Sequence, residues 1–217
     1  VIEYLHSNKN LISWINPDTD KDELIGVRKK VVDHARQLHE AAISPDPQSA
    51  LNKRQELQVL CAHREGKNGV SYWNGLVEHE LGAYTELRWY FGRPVMVTRN
   101  NRPVDLYNGD VGIIVPDADD QPVGAFSHGI TFRLVPTMRL EEDESVHALT
   151  IHKSQGSEYN EVIVVLPNES SRILTRELFY TGITRTKNRL TIIGSEAVLR
   201  SAVSQAIRRA SGLAARL

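Results

Sequence analysis

An α/β fold on a parallel central sheet, interrupted by a small all-β insertion, is what this 217-residue sequence predicts. Three observations carry the prediction. Residues 57–62, 162–166 and 190–193 are short, nearly continuous apolar runs, the pattern of strands buried on both faces. They alternate with stretches of helical apolar periodicity, as crossover helices require. Residues 92–144 instead show only short strand-like runs and turn signals, with no helical period.

In chain order, Thr19 or Asp20 caps a helix over about residues 22–42. There Leu24, Val27, Val31, Ala35, Leu38 and Ala42 recur at three or four residues and mark one buried face. Ser44-Pro45-Asp46-Pro47 ends it. Residues 57–62 form a buried strand, Gly66 and Gly69 turn the chain, and Ser71 caps a helix carrying Trp73, Leu76, Val77 and Leu81. Past Gly92, residues 94–98 read as a strand, and Asn108-Gly109-Asp110 is a tight turn into a strand at 111–115. Residues 123–126 and 130–135 add two more strands before the acidic run 141–144, and together they suggest a small antiparallel barrel.

Residues 146–155 are ambiguous; a helix ended by Gly156 is the preferred reading. A strand at 162–166 follows, then a Thr175-capped helix from 176 to about 186. A strand at 190–193 and a Ser195-capped helix to about 209 complete the chain. The layout is three segments: 1–91, 92–144 and 145–217. The first and third form one α/β domain, the second is the insertion, and residues 1–50 carry little motif signal.

The 41% hydrophobic and 24% charged fractions provide for a real core and exclude a disordered polymer. No apolar run approaches the roughly 18 residues of a membrane span, so no membrane partner is expected. Cys61 is the single cysteine, which excludes an internal disulfide and a cysteine-based zinc cluster and suggests a reducing, cytoplasmic compartment. The start Val1-Ile2-Glu3-Tyr4 lacks a leader pattern and suggests a cut piece of a longer chain. A net charge of −1 excludes a polycation. Locally, however, residues 172–217 carry nine Lys or Arg against only Glu177 and Glu196, enough for a phosphate-directed surface.

No self-sufficient catalytic centre is present in the sequence. A phosphate loop needs G-x-x-x-x-G-K-[ST] so that backbone amides and one lysine hold the phosphates; Gly66-Lys67 is followed by Asn68 and fails. Neither H-E-x-x-H nor G-x-S-x-G occurs, and the eight histidines show no metal-ligand spacing. What stands out is the run Ala148 to Glu158, where an apolar stretch gives way to His152-Lys153-Ser154-Gln155 and then Gly156. A second knot of hydroxyls and cations follows at Thr181, Thr184, Arg185 and Lys187. An arginine such as Arg185, between a helix and a central strand, can project into a neighbouring domain's nucleotide site or pair with a surface carboxylate. Arg64, just past a strand's carboxyl end, presents the same two alternatives.

The strings ALTIHKSQGSEY (148–159) and LFYTGITRTKNRL (178–190) resemble motifs V and VI of superfamily 1 helicases. LCAHREGKNGV (60–70) is similar to their motif IV in its RecD form. GRPVMVTRNN (92–101) with LYNGDVGI (106–113) resembles the insertion of the RecD-like and Pif1-like group, and RRASGLAARL (208–217) the RecD-type ending. The resemblance covers most of residues 55–217. It implies a RecA-like domain 2A of the P-loop NTPase type, with an SH3-like barrel (2B) inserted at 92–144. It implies ATP with Mg²⁺, shared with an N-terminal motor domain of the same protein. The implied activity is 5′→3′ DNA unwinding within exonuclease V, in double-strand-break repair and recombination, with single-stranded or duplex-end DNA and RecB- and RecC-like subunits as partners.

On matching positions, the resemblance implies that Arg185 and Arg64 reach the γ-phosphate, with Tyr180 and Thr184 in support. Gly156, Glu158 and Gln155 would lie beside the nucleotide. Thr150, His152 and Lys153 would face the strand's phosphates, and His63 stands where many relatives carry an adenine-stacking tyrosine. Arg99 and Asn100, with Arg102 and Asn108, are candidates for strand contact on the barrel, and Trp73, Trp89, Tyr90 and Phe91 are candidates for base stacking or core. The alternatives are a stand-alone RecD-like or Pif1-like helicase, or a non-enzymatic DNA-binding or docking module.

Overall fold

The computed structural model describes residues 11–206, apart from Ile130, Glu141, Glu142 and the side chains of Ala83 and Tyr84. The predicted end of the last helix, beyond residue 206, lies outside the described residues, as does the 208–217 string. The chain begins β1 (Ile12–Ile15), α1 (Lys21–Ala42), α2 (Pro47–Arg54), β2 (Leu57–Cys61) and α3 (Val70–Leu81). Five strands follow: β3 (Pro94–Val97), β4 (Val111–Pro116), β5 (Pro122–His128), β6 (Thr131–Pro136) and β7 (Asp143–Ser145). The chain then runs through β8 (Ala148–Thr150), β9 (Tyr159–Val165), α4 (Arg176–Ile183), β10 (Thr186–Ile193) and α5 (Glu196–Ser204).

The central sheet has order β1-β10-β9-β2-β8, with every pairing parallel. Side chains alternate across a strand, so its apolar runs feed two cores. Leu60, Val162, Val164, Leu190 and Ile192 pack with Phe179 of α4 and Leu199 of α5. Val59, Cys61, Ile163, Val165 and Ile193 meet Val31 and Ala35 of α1 and Trp73 and Val77 of α3 on the other face. Burial on both faces is why these strands show little polar alternation in sequence.

Strands β3 to β7 form a separate antiparallel sheet of order β6-β5-β4-β3-β7. Its pairings leave β6 and β7 at the two edges among the described residues. Ile113, Val115 and Ala125 pack on Leu38, Ala42 and Leu51 of α1 and α2, while Val95, Ile114, Phe126 and Leu140 fill the opposite side. Gly92 stands at the entrance to this sheet, where φ is +85° and an added Cβ would lie 2.5 Å from the His39 Cα. Only a residue without a side chain lets the chain pass so close to α1.

The structure corrects several local readings. Residues 148–150 are a strand, not the preferred helix, because they pair in register with Val59–Cys61; one 3₁₀ turn over Ile151–Ser154 follows. That turn ends at Ser154 with Gln155 as its cap, and Gly156 follows at φ +87°. Gly69, not Ser71, precedes α3 as its cap, and the Ser71 hydroxyl donates to Glu65 at 2.8 Å. Strands β1 and β7 and helix α2 carried no expectation. Pro47 opens α2 and Asp46 caps it by accepting the Gln48 amide at 3.0 Å, so the sequence that stops α1 starts the next helix.

Candidate nucleotide and nucleic-acid interface

The connection from β8 to β9 carries most of the candidate residues. Thr150 caps its 3₁₀ turn by accepting the Lys153 amide at 3.4 Å. The turn buries Ile151 and Ser154, whose hydroxyl donates to the Ile151 carbonyl at 2.7 Å, and exposes His152, Lys153, Gln155 and Gly156. Gly182 of α4 lets the helix press on this turn, since an added Cβ there would lie 3.2 Å from Ile151 Cδ1. The two motif strings, far apart in sequence, are thus packed together.

Arg185, between α4 and β10, is half-buried and tied to the same segment. Its Nε donates to the Thr181 carbonyl at 3.1 Å, Nη1 to the Ser157 carbonyl at 3.2 Å and Nη2 to the Thr184 hydroxyl at 3.2 Å. The Tyr159 amide donates in return to the Arg185 carbonyl at 2.8 Å. Among the described residues, no carboxylate pairs with Arg185. Glu158 beside it is exposed and forms an ion pair with Lys187 at 3.6 Å.

Arg64 lies elsewhere. It follows the carboxyl end of β2, is 61% exposed, and pairs with Glu144 at 3.1 Å and Glu65 at 3.8 Å. Lys153 donates to the other oxygen of Glu144. Arg185 and Glu158 stand instead just before the first residues of β10 and β9, at the opposite ends of the parallel strands. The structure therefore groups Arg64 with Lys153 and Thr150, groups Arg185 with Ser157 and Glu158, and does not bring the two arginines together. His63 is half-buried beside Arg64. Sequence reasoning passed over Glu144, whose acidic run read only as the end of the insertion. Its signal is the alternation along β7, which buries the Asp143 side chain to 1% exposure and leaves that of Glu144 at 20%.

On the antiparallel sheet, Arg99, Asn100, Arg102 and Arg139 line an open groove of about 650 Å³ with Leu106 and Leu140. The Asn100 side chain accepts the Asn108 amide at 2.8 Å, and Gly109 at φ +96° completes the turn. The four aromatic candidates separate. Trp73 and Tyr90 are buried, Phe91 packs between both faces of the small sheet, and Trp89 takes the guanidinium groups of Arg88 and Arg93 at 4.7 and 5.2 Å from its ring. Asp143 holds both of those arginines, at 2.6 and 2.9 Å.

Half-buried His34 and buried His147 line one small cavity with Val59 and Pro94. Burial lowers the pKa of His147 to about 3 and of His34 to about 4, so both are neutral near pH 7. His147 Nε2 lies 2.8 Å from the Tyr90 hydroxyl. Burial also pushes the Cys61 thiol up, which suits a packing role. No helix among the described residues is long and apolar enough to cross a membrane.

The parallel sheet is covered on both faces and carries cations and hydroxyls at the ends of its strands. Residues 145–193 match the UvrD-like helicase C-terminal domain. The particular likeness is to RecD. The chain is 45% identical over 210 residues to the RecBCD enzyme subunit RecD of Mycolicibacterium smegmatis, covering 95% of this chain and 36% of that protein. It is 41% identical over 222 residues to RecD of Mycobacterium tuberculosis, covering 100% and 38%. The chain thus spans just over a third of the length of these relatives. A Pif1 helicase structure from Bacteroides aligns at 17% identity and a TM-score of 0.46, over 86% of this chain and 51% of that one.

Proposed function

We propose that this chain is the second motor region, 2A with an SH3-like 2B insertion, of an ATP-dependent 5′→3′ DNA helicase of RecD type. We read it as working with RecB- and RecC-like subunits in double-strand-break repair. The single observation that carries the nucleotide half of this reading is Arg185. A guanidinium held in place by three neutral oxygens keeps its charge available to an anion. Its neighbours Gln155, Gly156 and Glu158 are exposed on the segment it grips, where Glu158, paired with the exposed Lys187, would accept a ribose hydroxyl.

ATP bound against this edge would supply a γ-phosphate whose charge grows during transfer, and Arg185 would stabilise it from outside the phosphate loop. The phosphate loop and magnesium ligands would come from a first motor domain, since Gly66-Lys67 is followed by Asn68 and does not complete G-x-x-x-x-G-K-[ST]. Thr150, His152 and Lys153 on the same connection would hold the strand, so a shift of the 150–158 segment moves strand and nucleotide contacts together. By itself the chain should turn over no ATP.

In the complete protein, Arg185→Ala should reduce DNA-stimulated ATP turnover by about a thousandfold while single-strand affinity stays within about threefold. Turnover within about threefold of wild type would refute the assignment.

A further inference from the structure

We infer that Arg64 belongs to the strand-binding side of this domain, and that Glu144 is a fixed counter-ion limiting the grip of Arg64 and Lys153 on nucleic-acid phosphates. The inference rests on reading Thr150 and Lys153 as strand contacts, and it moves Arg64 away from the nucleotide.

Register carries the first half. Strands β2 and β8 are parallel neighbours, with Cys61 opposite Thr150 at their carboxyl ends. Arg64 lies three residues past Cys61 and Lys153 three past Thr150, so both cations leave the same end of adjacent strands. Their shared contact with Glu144 confirms that the side chains converge. Arg185 leaves the opposite end of the sheet, on the far side of the β9 and β10 strand lengths.

The fixing of Glu144 carries the second half. Met96 of β3 pairs with Glu144 in the antiparallel sheet. On one side Asp143 is buried against Arg88 and Arg93; on the other the Ser145 carbonyl accepts the Asn74 side chain at 2.9 Å and its hydroxyl accepts Arg93 Nε at 2.8 Å. The Glu144 carboxylate is therefore presented from a pinned backbone, whereas Arg64 and Lys153 stand on flexible stems. Arg64 also has the exposed Glu65 at 3.8 Å, so two cations meet two carboxylates and the patch is near neutral. Such solvent-exposed pairs are weak and screened by salt, and a phosphate chain arriving beside them competes for both cations. A strand held this way is gripped but readily released, as stepwise movement along it requires.

The test is single-strand affinity of the complete protein, measured with a labelled oligothymidylate across a salt series, beside ATP kinetics. Glu144→Gln, nearly isosteric, should tighten binding about fivefold at low salt, and Glu144→Ala should do the same if the amide perturbs β7. Arg64→Ala and Lys153→Ala should each weaken binding and reduce the salt slope by about 1. Glu144→Gln combined with Arg64→Ala should lose much of the gain. Loss of ATP turnover in Arg64→Ala with strand affinity intact would overturn the inference, as would weaker binding in both Glu144 variants. If Lys153→Ala leaves strand affinity untouched, the strand-contact reading falls and takes this inference with it. If Lys153→Ala acts but Arg64 and Glu144 do not, this inference alone falls.

Discussion

Arg185 Nη1 donates to the Ser157 carbonyl at 3.2 Å, joining the residue before β10 to the residues before β9. This bond needs a guanidinium, since one planar fork also serves Thr181 and Thr184. Arg185→Lys should therefore recover little activity: a point charge on a flexible stem cannot meet three acceptors and a phosphate together. ATP turnover in the complete protein within about tenfold of wild type would show that charge alone suffices.

Glu158 and His152 lie on one connection but are expected to serve different ligands. Glu158→Gln should raise the KM for ATP about tenfold with strand affinity unchanged. His152→Ala should weaken strand binding severalfold with that KM unchanged. Equal effects of both variants on both assays would reject the separation.

Asp143 is a buried carboxylate with two guanidinium partners, both lying over Trp89. Asp143→Ala leaves Arg93 charged and almost buried without its partner, and should cost about 3 kcal/mol in urea unfolding. A loss under about 1 kcal/mol would mean that water reaches Arg93 freely.

Gly92→Ala should destabilise by about 2–4 kcal/mol, since the new methyl meets the α1 backbone at His39 and the position has φ +85°. A fall in the urea midpoint without a change in m is the expected result.

His34 and His147 should make stability pH-dependent. Their folded pKa values, about 4 and about 3, lie below the usual 6.5, so the unfolded chain takes up protons first. Their contribution is complete above about pH 6.5 and is lost as pH falls towards 4 and 3, with a slope of up to about 1.4 kcal/mol per pH unit for each. Urea unfolding at pH 7 and pH 5 reads this before most carboxylates titrate. Stability unchanged between those values would show that both rings accept a proton in the folded state.

Much of the domain was legible in the chain. The runs around Val59, Val162 and Leu190 are strands because a sheet covered on both faces has nowhere to put polar residues. The periodicity from Leu24 to Ala42 marks a helix because one face must be dry. The motif strings around Thr150 and Arg185 marked the candidate residues before any contact was known. Four local elements were not legible. Strands β1 and β7 are short and weakly patterned, α2 begins inside a helix-stop signal, and the 148–150 segment has too few residues for its period to separate helix from strand.

What the sequence determined by itself is where cations, hydroxyls and glycines gather along the chain, because these are local properties. Which of them act together was decided only by tertiary structure. Register sets Arg64 and Lys153 at one end of neighbouring strands and Arg185 at the other, and the return of the chain through β7 delivers Glu144 between the first two. Strand order and pairing register are long-range relations, so no local window of the chain contains them.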